Sequence, residues 1–119
     1  MKTIIINNLE WQLDDDGIKR NWEDSINHAT TLGDEWRLPT IEELSSIIDY
    51  TIHSPACKIE SCRPSYYWSS NSDAYYSSYA WYVNFNDGYV GNTDKDNHNY
   101  ARYVRPVVRE DINDENNNY

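Results

Sequence analysis

Long apolar runs are missing from this chain. The stretch Ile4-Ile5-Ile6 near its start has three residues, too few for a membrane span or for the apolar region of a signal peptide. The expectation is a cytoplasmic chain that touches no membrane. Cations are also scarce: ten Lys and Arg face twenty Asp and Glu, a formal charge of −10. That field repels nucleic-acid phosphates over about a Debye length and attracts a basic partner, so direct nucleic-acid binding is disfavoured. Cysteine is limited to Cys57 and Cys62. Their spacing is not that of a zinc knuckle, and no second Cys or His pair completes a tetrahedral site. Free thiols are expected in a reducing compartment, with a local disulfide as the alternative.

Catalytic constellations are absent too. His28, His53 and His98 stand in no nucleophile or metal motif, and carboxylates act as general acid and base only in contrasted environments, which spacing does not supply. No enzyme activity, cofactor or metal is expected. Asn92, Asp94, Asp96 and His98 alternate as calcium ligands might, but the Gly and distal Glu of an EF-hand loop are missing. Asp14-Asp15-Asp16 reads as a turn.

What is present divides into a helical first half and a β second half. At 119 residues there is room for one core, and a single domain over residues 1–109 is expected. Thr3 to Ile6 and Leu9 to Gln12 read as short strands. Asn21 caps a helix carrying Trp22, Ile26 and Ala29, with Gly33 closing it. Thr40 and Glu43 form a capping box for a second helix with Ile41, Leu44, Ile47 and Ile48 on one face. Asp49 to Ser65 is an irregular connection over the body of the domain. Tyr67–Ser70, Ala80–Phe85, Tyr89–Val90 and Tyr100–Arg109 read as strands, with Asn86-Asp87-Gly88 as a hairpin turn and 91–99 as a polar loop. Residues 110–119 are too polar to pack and are expected to form a disordered acidic, Asn-rich tail.

In order, Leu9-Glu10-Trp11-Gln12, Trp22-Glu23-Asp24-Ser25, Trp36-Arg37-Leu38-Pro39-Thr40, Glu43-Leu44, Tyr67-Trp68-Ser69-Ser70, Ala80-Trp81-Tyr82-Val83, Asp87-Gly88 and Tyr103-Val104-Arg105 resemble the DUF1566 family, also called the Legionella collagen-like protein C-terminal domain. The resemblance covers about residues 9–109. It implies an α+β, C-type-lectin-like fold related to the formylglycine-generating enzyme, with two short helices flanking a small mixed or antiparallel sheet. It also implies a binding module. Glycosaminoglycan binding is not carried over, because a sulfated-glycan binder needs cations where this chain is acidic. Pro106 stands where the family often has Cys.

Eleven Tyr and five Trp supply large contacts at low conformational cost, the chemistry of adaptable recognition surfaces. Tyr67, Trp68, Trp81 and Phe85 are expected to build the core. Tyr75, Tyr76, Tyr82, Asn84, Tyr89, Asn92, Asp94 and Asp96 are the expected partner-binding residues. Arg37 and Arg105 are expected in buried or half-buried ion pairs. The leading expectation is a non-enzymatic module binding a protein. One alternative is a phage-encoded acidic inhibitor, anti-CRISPR-like, occupying a basic nucleic-acid channel of a host defence protein. The other is a glycan-binding adhesin domain.

Overall fold

Asn7 and Asn8 adopt φ of 54° and 66°, left-handed values that Asn tolerates better than most residues. This turn folds Thr3–Ile6 (β1) back on Leu9–Gln12 (β2), pairing Thr3 with Gln12 and Ile6 with Leu9. On its other side β2 pairs antiparallel with Val104–Pro106 (β6) through Trp11 and Val104, so the start and end of the fold share one sheet. The computed structural model describes residues 1–107. The expected tail, and the expected strand and domain ends at Val108 and Arg109, lie outside them.

Both helices begin where local chemistry places them. Asn21 accepts a hydrogen bond from Asp24 N at 2.8 Å and caps Trp22–Ala29 (α1). A 3-10 turn over Thr30–Leu32 follows, and Gly33 ends it at φ 112°, a conformation that an L side chain resists. The capping box is complete: Glu43 N donates to Thr40 Oγ1 at 3.2 Å and Thr40 N donates to Glu43 Oε1 at 2.8 Å. The helix it starts is short, Ile41–Ser45 (α2). Ile47 and Ile48 lie in the turn beyond it and are buried with Leu44 all the same.

The second sheet consists of Tyr66–Ser72 (β3), Tyr79–Asn84 (β4) and Tyr89–Asp94 (β5), antiparallel with β4 central. A register shift interrupts β3 between Trp68 and Ser72. Tyr67 and Val83, paired across β3 and β4, join Trp11, Leu44, Ile47, Phe85 and Val104 in one hydrophobic cluster. Trp68, Ala80 and Tyr82 project to the opposite face and join Ala29, Trp36, Leu38 and Tyr103 in another. The sheet is thus covered by the segment around α2 on one face and, over Trp68 and Ala80, by α1 and Trp36 on the other.

Several expectations change. The architecture is α+β, and among the described residues two α-helices accompany two three-stranded antiparallel sheets in place of one sheet. The last strand is shorter than expected because Tyr100 makes only a single parallel bridge to Tyr67 and the chain then crosses to β2. β5 runs to Asp94, four residues past the expected end. Tyr82, expected to face outward, is buried, while Trp81, expected inside, is only half-buried. Alternation shows which residues share a face but not that both faces are covered. Cys57 and Cys62 are disulfide-bonded, not free. The Ile48–Cys57 bridge and the turn closed by Cys62 N to Ile59 O at 3.1 Å bring their Cα atoms to 6.4 Å. No helix among the described residues is long and apolar enough to cross a membrane.

Candidate functional site

The eight expected partner-binding residues are not one patch. β3 ends, β4 begins and β5 ends at the same end of the second sheet, which carries Tyr75, Tyr76, Asn92, Asp94 and Asp96. Asn84 and Tyr89 pair at the opposite end, roughly 15–20 Å away by the rise of a strand. Tyr82 lies between them, 8 % exposed.

At the first end, the loop between Ser72 and Tyr79 is held from several sides. Asp73 N donates to Tyr79 O at 2.9 Å, and Tyr79 N donates to Tyr76 O at 2.9 Å. The buried Asp73 carboxylate accepts from Tyr75 N at 2.8 Å, from Tyr76 N at 3.3 Å and from Asn92 Nδ2. The Tyr75 amide and the Asn92 side chain hold this carboxyl below the ordinary aspartate value. Lys95 ties the other flank, with Nζ donating to Ser77 O at 2.6 Å and Ser72 Oγ at 2.8 Å, 4.3 Å from the Trp22 ring centroid. The tyrosines on this fixed loop face solvent: Tyr75 is 84 % and Tyr76 58 % exposed. Their rings meet edge-on at 4.9 Å, and Tyr76 approaches Tyr79 at 5.9 Å.

Asn92 therefore supports the loop, and Asp94 turns the chain by accepting Asp96 N at 2.9 Å. Asp96 is exposed beside a hollow of about 330 Å³ that Trp22, Glu23 and Lys95 also line. Among the described residues no group of three or more His, Cys, Asp or Glu is placed to hold a metal ion. A cleft of about 360 Å³, lined by Ile26, Ala29, Trp36 and Leu38, contains none of the expected residues. Its Arg37 is already paired with Glu43 at 2.7 and 2.9 Å. Arg105 pairs with Glu10 at 2.8 Å and lies 4.8 Å from the Trp36 ring centroid. Both arginines hold half-buried ion pairs, as expected.

Sequence reasoning missed a buried hub. The Asp15 carboxylate accepts from Gly17 N at 2.8 Å, from Arg63 Nε at 3.0 Å and from the Tyr67 hydroxyl. It stands 3.7 Å from Nη2 of Arg102, whose side chain is wholly buried and whose Nη1 donates to Gln12 O at 2.6 Å and Leu13 O at 2.5 Å. Nothing local distinguishes Asp15 from Asp14 and Asp16; its partners come from residues 63, 67 and 102. Burial, followed by the bond to Asp15, pushes the Tyr67 hydroxyl up to about 12. The model of the Lcl C-terminal domain family matches residues 5–105. No curated protein matches the chain.

Proposed function

The chain belongs to the Lcl C-terminal domain family, and from that premise we propose that it is a non-enzymatic recognition module that binds a protein partner through Tyr75, Tyr76 and Tyr79. The observation that carries this reading is the contrast within one loop: its backbone is fixed by Asp73, Asn92 and Lys95 while its rings stand in solvent. Ordering a loop and its side chains on binding costs affinity, and a loop ordered beforehand avoids that cost. Exposed tyrosines held this way suit a partner surface with both apolar and hydrogen-bonding groups. We also assign a C-type-lectin-like, DUF1566-type fold, supported by the pairing of β2 with the last strand and by the two flanking helices.

The test is affinity capture from host cells with the wild type and with Tyr75→Ser/Tyr76→Ser/Tyr79→Ser side by side. Loss of a partner by a variant that melts like the wild type supports the surface. Recovery of the same partner refutes it. A second reading follows from the charge of −10: an acidic inhibitor seated in a basic nucleic-acid channel. Its complex weakens steeply as salt rises, whereas a tyrosine-dominated contact does not.

A further inference from the structure

The opposite end of the same sheet carries a second aromatic surface that the reading above does not use. Tyr66 and Tyr82 stack with ring centroids 4.7 Å apart at 21°, and Tyr89 lies 6.5 Å from Tyr82 on the other side. Gly91 forms the floor: a Cβ there would come within 2.7 Å of Tyr89 Cε2 and 2.8 Å of the Tyr82 hydroxyl. Tyr66 and Tyr89 are exposed, so Tyr82 sits at the base of a step with an open ring on either side. Asp87, exposed at the turn, accepts Tyr89 N at 3.0 Å. Burial, followed by the fields of Tyr66, Tyr89 and Asp87, raises the Tyr82 hydroxyl above its ordinary value.

The chain's own cations cover aromatic rings elsewhere. Lys19 and Arg63 stand over Tyr100, Lys95 over Trp22, Arg102 over Tyr67 and Arg105 over Trp36. Among the described residues none stands over Tyr66, Tyr82 or Tyr89. A ring face attracts a cation through its quadrupole, and a planar guanidinium also stacks on it. Three rings with no cation of their own beside a carboxylate, on a chain with twice as many acids as bases, are complementary in charge and shape to such a group.

We propose that Tyr66, Tyr82 and Tyr89, with Asp87, form a binding step for an arginine side chain presented by a protein partner. The contact does not depend on the Tyr75–Tyr76 loop, which lies at the other end of β4.

The chain is prepared with 3-fluorotyrosine and each fluorine resonance is assigned by Tyr→Phe substitution. It is titrated with an acetylated, amidated Gly-Arg-Gly-Arg-Gly peptide and with the same peptide carrying citrulline, a neutral isostere of arginine. The expected result is saturable shifts at Tyr66, Tyr82 and Tyr89 that are roughly threefold or more smaller with citrulline. Asp87→Asn, which keeps an acceptor for Tyr89 N, weakens the response to the arginine peptide, and Tyr89→Leu removes the preference over citrulline. Equal shifts with the two peptides overturn the proposal. So do equal shifts at Tyr75 and Tyr76, at the other end of the sheet, which would mark non-specific attraction to an acidic chain.

Discussion

Replacing Asp15 by Ala removes the carboxylate that stands 3.7 Å from the buried Arg102. The guanidinium keeps its two bonds to Gln12 O and Leu13 O, but among the described residues Nε and Nη2 meet no hydrogen-bond acceptor. The 3.7 Å separation from Asp15 is a Coulomb contact, not a hydrogen bond. Truncating one partner of a buried pair costs about 3–5 kcal/mol, because the other charge stays buried and uncompensated. Tyr67 loses its acceptor in the same step, a cost of about 1–3 kcal/mol when counted alone. The two losses share one network, so they do not add. A total of about 3–5 kcal/mol is expected, which at about 4 °C per kcal/mol for a chain of this length lowers Tm by roughly 12–20 °C. Urea unfolding followed by tryptophan fluorescence measures it, with the exposed Asp14→Ala as control, expected within about 0.5 kcal/mol of wild type. Asp15→Ala/Arg102→Met removes both charges and recovers a large part of the loss. A cost below about 1 kcal/mol for Asp15→Ala, or a double variant no better than the single one, refutes the hub.

Other predictions rest on separate contacts. Arg105→Ala loses a half-buried ion pair with Glu10 and its cover on Trp36, about 1–2 kcal/mol together, read as a lower Tm. Gly91→Ala drives a methyl into Tyr89 and Tyr82, costing about 1–3 kcal/mol and changing the near-ultraviolet tyrosine spectrum. Glu10 and Glu43 are held below the ordinary glutamate value of 4.5 by hydrogen bonds from Arg105 and Arg37. Their contribution is complete above that value and is lost as pH falls through the lower folded values, so acid titration of the midpoint shows a decline that Glu43→Gln reduces. Tyr67, raised from 10.0 to about 12, has the opposite sign: its contribution is complete below pH 10 and is lost as pH rises toward 12.

Much of the fold was legible because its signals are local. The Asn21 cap, the Thr40–Glu43 box and the Asn86-Asp87-Gly88 turn each depend on residues within a few positions of one another. What depends on distant chain was not legible. Asp15 cannot be told from its neighbours until Arg63, Tyr67 and Arg102 arrive. Tyr82 is buried because the rings of Tyr66 and Tyr89 lie on either side of it, a packing that alternation alone does not show. Asn92 and Asp73, nineteen residues apart, meet only after β5 pairs with β4. Composition drew attention to the tyrosine-rich half without showing that its tyrosines occupy two ends of one sheet.

The most direct measurement is tyrosine labelling of the complex, by iodination read by mass spectrometry with and without the captured partner. Tyr50, exposed and packed against Gly88 at the end of the sheet opposite the loop, serves as the internal control. The recognition reading predicts strong protection of Tyr75 and Tyr76 with Tyr50 labelled as before. Unchanged labelling of Tyr75 and Tyr76 in a saturated complex contradicts it.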